Sequence, residues 1–125
     1  MAKLFADTYA LLGHVDGFPA YVRLLSDGDY VTTALNACEY AHKILMRGQG
    51  EALDLALPPI LDHVVQPGPE VPLAAAQFKR DRLKAGAECS YVDAWGYATA
   101  RSLGLQFLTG DEDFRGVPGV KFVKA

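Results

Sequence analysis

Short apolar runs alternate along the chain with longer stretches whose apolar residues recur every third or fourth position. Lys3–Ala6 is a short apolar run that opens directly onto Asp7, and it reads as a buried strand ending in a carboxylate. Thr8–Val15 has helical spacing until Asp16-Gly17 breaks it, and Phe18–Leu25 forms a second short amphipathic helix. Ser26–Asp29 is a turn, and Tyr30–Thr33, rich in β-branched residues, predicts a second strand. Leu35, Cys38, Ala41 and Leu45 set a helical period over 34–47, which Gly48 and Gly50 end. Glu51–Leu57 predicts a further helix stopped by Pro58-Pro59, and Leu61–Gln66 a third strand. After the stiff loop Pro67–Pro72, a helix runs over 73–83. Ser90–Leu103 is the clearest helix, with Ser90 as N-cap and Gly104 as its stop. Leu105–Thr109 is a strand delivering Gly110-Asp111, and Val120–Val123 is the last strand.

Strands alternating with helices imply an α/β fold with a mostly parallel sheet covered on both faces. In such folds ligands sit beyond the carboxyl ends of the strands. The 125 residues suit a single domain spanning 1–125, and with half of them hydrophobic and 22% charged they can build an ordinary core. No repeat or internal boundary interrupts the pattern.

The formal net charge of −3 argues against a protein that coats nucleic acid by charge alone. It does not argue against an enzyme whose acids hold divalent cations, since bound ions cancel several of those charges. Two cysteines, Cys38 and Cys89, lie far apart without metal-type spacing and read as reduced, partly buried thiols. The opening residues carry too short an apolar run for a signal peptide, and no uncharged stretch reaches the length of a membrane span. A cytoplasmic protein is the expectation.

Four carboxylates stand out. Asp7 and Asp111 each follow a strand, so neighbouring strands would bring them together. Asp93 lies in the first turn of the Ser90 helix, on a face shared with Tyr97 and Ala100. Glu39 lies mid-helix, one turn from Leu35. Each also has an ordinary use. Asp7 can cap the following helix, Asp93 can face its helix dipole, Glu39 can pair with Lys43, and Asp111 can be a turn residue. Taken together, converging carboxylates repel unless something positive lies between them. Hard cations such as Mg²⁺ and Mn²⁺ prefer oxygen ligands, and His14, His42 and His63 are too scattered to offer a zinc site. Such a metal site suits phosphodiester cleavage.

These residues carry a family resemblance. Ser90-Tyr-Val-Asp93 with its small-residue helix, followed by Phe107-Leu-Thr-Gly-Asp111-Glu-Asp113-Phe114, resembles the helix acid and threonine-glycine-aspartate block of PIN domains. Phe5-Ala-Asp7-Thr-Tyr resembles the first acid of that family, and Thr33–Tyr40 its Glu39-bearing helix. The likeness is loose between about Gly48 and Glu88. It implies a three-layer fold on a parallel sheet of order 3-2-1-4-5 and a Mg²⁺- or Mn²⁺-dependent endoribonuclease. Many small members are the toxin halves of VapBC-type toxin–antitoxin pairs, which implies an RNA substrate, an antitoxin partner and a homodimer. Asp7, Glu39, Asp93 and Asp111 are then the metal ligands, Asp113 an additional acid acting through water, and Thr109 a hydrogen-bonding support, with Thr8 in a similar part.

Two rival readings stay open: a housekeeping PIN-type nuclease of RNA processing, and a non-catalytic module that kept the fold. Lys79, Arg80, Arg82 and Lys84 form a basic run that either guides a phosphate backbone or is a solvated helix face. Trp95, Tyr97 and Phe107 read as core, whereas Tyr9 and Phe114 are placed at the cleft wall. Gly110 is assigned the freedom to turn tightly after its strand.

Overall fold

The computed structural model describes residues 2–125. Its strands are β1 (Leu4–Ala6), β2 (Tyr30–Val31), β3 (Gln106–Thr109) and β4 (Val120–Phe122). Its helices are α1 (Thr8–Val15), α2 (Pro19–Leu25), α3 (Ala34–Met46), α4 (Leu53–Leu61), α5 (Val71–Lys84) and α6 (Tyr91–Ser102). Single 3₁₀ turns lie at Gly50–Ala52 and Glu112–Phe114. The strands pair in the order β2-β1-β3-β4, all parallel, with Phe5 opposite both Val31 and Phe107 and with Phe107 opposite Val120.

The five-strand order 3-2-1-4-5 is realised as four strands. The run at Leu61–Gln66 is reduced to one bridge between Thr32 and Val64. There the Thr32 N–H donates to the His63 carbonyl at 3.0 Å and the Val65 N–H to the Thr32 carbonyl at 2.9 Å. Two causes shorten it. Pro67 and Pro69 follow closely and cannot donate to a ladder. In addition, α4 does not stop at Pro58-Pro59 but runs through both prolines to Leu61. The carbonyls these prolines leave without an N–H belong to Asp54 and Leu55, both exposed residues. Ile60, 7% exposed, fastens the last turn into the core.

Strand alternation divides the core into two layers. On one face Phe5 and Phe107 stack at 5.5 Å between centroids, joined by Tyr97, Phe114 and Phe78. On the other, Leu4, Ala6 and Leu108 meet Leu11, Tyr21, Tyr40 and Ile44. Each fully buried Phe contributes roughly 1.5–3 kcal/mol. Helix α6 can approach the first face because Gly96 has no side chain. A Cβ there would stand 3.1 Å from the Phe5 ring and 3.3 Å from the Phe107 ring. Phe114 belongs to this core at 2% exposure and does not form a cleft wall. Cys38 is exposed and Cys89 buried, so only the second fits the expectation of a sheltered thiol. Among the described residues no helix is long and apolar enough to cross a membrane.

Candidate metal centre

Parallel pairing of β1 with β3 sets Ala6 opposite Leu108, so Asp7 and the segment Thr109–Asp111 emerge at the same carboxyl rim. The Asp7 N–H still donates to the Leu108 carbonyl at 3.3 Å. Its side chain caps α1, with Oδ1 accepting from the Ala10 N–H at 2.9 Å. The residue is only 4% exposed. Burial pushes the Asp7 carboxyl up to about 8, against the Thr109 hydroxyl and the Ala10 N–H, and the charges of Asp93 and Asp111 push it in the same direction as burial. A carboxylate in this position lacks a compensating cation.

Asp93 takes part in a capping box at the start of α6. Its N–H donates to Ser90 Oγ at 3.0 Å, and the Ser90 N–H donates back to Asp93 Oδ2 at 3.4 Å. Burial raises its pKa against those bonds, with the charges of Asp111 and Glu39 adding to the rise. The cap accounts for one carboxylate oxygen and leaves the other free. The ordinary use foreseen for Asp7, capping α1, is therefore real, and Asp93, expected only to face its helix dipole, also joins a capping box; these bonds orient the two acids as well as closing the helices.

Glu39 projects from α3, half-buried, and its charge reaches Asp93. It makes no ion pair with Lys43. The ion pairs among the described residues are Arg47–Asp16, Arg80–Asp81, Arg115–Glu112 and Lys124–Glu112. What positions α3 is Asn36, 2% exposed and not singled out from the sequence. Thr33 Oγ1 donates to Asn36 Oδ1 at 2.6 Å, and Asn36 Nδ2 donates to Thr8 Oγ1 at 3.3 Å. These bonds tie the first turn of the Glu39 helix to the first turn of the Asp7 helix. The available signal was the Thr33-x-x-Asn36 spacing, which reads as a cap.

Asp111 caps the turn Glu112–Phe114, its Oδ1 accepting from the Asp113 N–H at 3.0 Å. Its own N–H donates to Thr109 Oγ1 at 3.1 Å, so the buried Thr109 hydroxyl serves both Asp111 and Asp7. Gly110 is needed for close approach and not for a left-handed backbone. A Cβ there would lie 2.3 Å from Tyr9 Cε1 and 2.4 Å from the Val123 carbonyl. Asp113 stands one step outside. Its charge bears on Cys89, and its carbonyl accepts from Arg82 at 2.7 Å.

The acids thus couple electrostatically, Asp7 with Asp93 and Asp111, and Asp93 with Asp111 and Glu39. Among the described residues, no three or more His, Cys, Asp or Glu side chains stand close enough together to hold a metal ion as they are arranged. The donors are all carboxylate oxygens, they repel one another, and the deepest is disfavoured as an anion. That combination fits a hard divalent cation and suits no soft metal.

The sequence matches the PIN domain over residues 4–120. No curated protein sequence matches the chain. Among solved structures, a toxin–antitoxin complex from Klebsiella pneumoniae superposes with a TM-score of 0.75 at 19% identity, covering 99% of this chain and 100% of that one. The Mycobacterium tuberculosis toxin VapC20, described as cleaving the sarcin-ricin loop, superposes with a TM-score of 0.72 at 22% identity, covering 98% of each chain. FitAcB from Neisseria gonorrhoeae gives 0.72 at 19% identity, covering 97% of each. These likenesses bear on the fold, and the sequence match over nearly the whole length places the chain in the PIN domain family.

Proposed function

We propose that this chain is a Mg²⁺- or Mn²⁺-dependent endoribonuclease and the toxin of a VapBC-type pair. The observation that carries the reading is Asp7. It is a buried acid at the carboxyl rim of a parallel sheet, coupled to Asp93 and Asp111 with no cationic side chain among the groups that set its titration. Asp7, Glu39, Asp93 and Asp111 would hold the ion, with Asp113 acting through water, and the ion would supply Lewis-acid polarisation of a phosphodiester and a more acidic water. The residues do the rest. Thr109 orients Asp7 and Asp111 together, Ser90 fixes Asp93, and Asn36 holds the Glu39 helix in register with α1.

The toxin role draws on the superposed structures, several of which are toxin–antitoxin complexes. A small antitoxin is the expected partner, and an antitoxin Arg entering among the acids would supply the charge the ion supplies. We place the protein in the cytoplasm, as a homodimer.

The test is cleavage of a mixed RNA substrate by the purified protein with Mg²⁺, Mn²⁺ or EDTA. The reading predicts cutting only with metal, leaving 5′-phosphate and 3′-hydroxyl ends. Cutting that persists in EDTA, or no cutting of any RNA by folded protein, would sink it.

A further inference from the structure

The basic run of α5 does not behave as one patch. Lys79 is occupied, since its Nζ donates to the Cys89 carbonyl and lies 4.7 Å from the centre of the Tyr91 ring. Arg80 points outward and pairs with Asp81 at 2.9 Å, both more than half exposed. Arg82 is different. It is half-buried and donates through Nη2 to the Asp113 carbonyl at 2.7 Å. Among the described residues it forms no ion pair, unlike Arg47, Arg80 and Arg115.

A guanidinium carries five N–H donors, so the bond to Asp113 leaves most of the fork unused. The place of that fork is well defined. The residue holding it, Asp113, also donates its N–H to the Asp111 carboxylate at 3.0 Å. The charges of Asp93, Lys79, Arg82 and Asp113 all act on the one thiol of Cys89, so Arg82 lies in the same neighbourhood as Asp93. Neither of the other unpaired arginines has this setting. Arg101 lies over Gly119, and Arg23 lines a hollow beside Leu4 and Gln106, at the amino ends of β1 and β3.

An acidic site that takes a polyanion needs a fixed positive group beside the acids, and a pre-held planar fork matches a phosphate. We propose that Arg82 grips a backbone phosphate of single-stranded RNA adjacent to the phosphodiester at the acid cluster. This rests on the nuclease reading above, and its test can be separated from that reading.

Binding of a fluorescein-labelled, cleavage-resistant phosphorothioate single-stranded oligoribonucleotide is followed by anisotropy in the unaltered protein with Mg²⁺ across a range of KCl concentrations. Cleavage by the otherwise unaltered enzyme is followed in parallel. Arg82→Ala should weaken binding roughly 10- to 100-fold and reduce the slope of log affinity against log salt by about 0.7, the value of one single-strand phosphate contact. Arg82→Lys, which keeps charge without the fork, should restore the slope and only part of the affinity. Arg80→Ala should change neither. If Arg82→Ala melts early, Arg82→Gln, which can still donate to the Asp113 carbonyl, replaces it in the comparison. A salt slope unchanged by loss of Arg82, or Arg82→Lys binding no better than Arg82→Ala, would overturn the contact while leaving metal-dependent cleavage intact. RNA binding that depends on Arg82 without any cleavage would uphold the contact and remove the nuclease. Failure of the protein to bind RNA at all would overturn both.

Discussion

Replacing Asp7 by asparagine should stabilise the metal-free protein and at the same time remove its response to Mg²⁺. The folded carboxyl titrates at about 8, against 3.8 for the ordinary group. For an acid with a raised folded pKa, the stability it contributes is complete below 3.8 and is lost as pH rises toward about 8, because the unfolded chain releases its proton first. Near pH 7 the loss extends over roughly three pH units at about 1.4 kcal/mol each, or about 4 kcal/mol. Asparagine has the shape of the protonated acid, and its oxygen can still accept from the Ala10 N–H. It escapes that loss, less whatever its NH₂ gives up beside the Thr109 hydroxyl, for a net gain of roughly 2–4 kcal/mol. In a domain of this size that corresponds to a melting temperature higher by about 10 °C. Thermal melts followed by circular dichroism in EDTA should show this gap near pH 7 and show it nearly closed near pH 4. Added Mg²⁺ should raise the wild-type melt and leave that of the variant where it was. A variant less stable than wild type in EDTA near neutral pH, or a gap indifferent to pH, would refute the reasoning.

Two further substitutions probe the scaffold. Gly110→Ala places a Cβ against the Tyr9 ring and the Val123 carbonyl. It should cost about 1–3 kcal/mol in urea unfolding and displace Asp111 enough to abolish cleavage; full activity would mean that the C-terminal segment yields freely. Ser90→Ala removes the hydroxyl half of the capping box of α6, the Oγ that accepts from the Asp93 N–H, and keeps the Ser90 N–H that donates to Asp93 Oδ2. It should cost about 1 kcal/mol, yet lower RNA cleavage measured well below the melting temperature, because the first turn of α6 frays and no longer holds Asp93 in place; unchanged kinetics would show the cap to be structural alone.

What the sequence made legible was local. The bounds of α1 agree residue for residue with the hydrophobic pattern, since Asp7 and Asp16-Gly17 punctuate it within the segment itself. Helix α6, its cap and the acid it carries were equally readable, because capping residues act on their own first turn. Three features were hidden because their causes are distant in the chain. The third strand shrank to a bridge because α4 absorbs residues up to Leu61, a choice settled by where Ile60 finds the core. Gly110 is excluded from bearing a side chain by Val123 and Tyr9, neither of which is a sequence neighbour. Phe114, beside two acids in sequence, turns instead into the Phe107 and Tyr97 cluster. The basic run divides because helix periodicity sends Lys79 and Arg82 toward neighbouring carbonyls, and Arg80 to solvent.

The central claim is that acids from β1, α3, α6 and the β3 loop form one cation site. Calorimetric titration of the metal-free protein with Mn²⁺ near pH 7 tests it most directly. The account predicts saturable binding accompanied by release of about one proton per ion, drawn from Asp7 and read from the dependence of the heat on buffer ionisation. Asp7→Asn, Glu39→Gln, Asp93→Asn and Asp111→Asn should each weaken it severely, and Asp113→Asn only mildly. Absence of Mn²⁺ binding, or binding that survives loss of Asp7 and Asp93, would contradict the account.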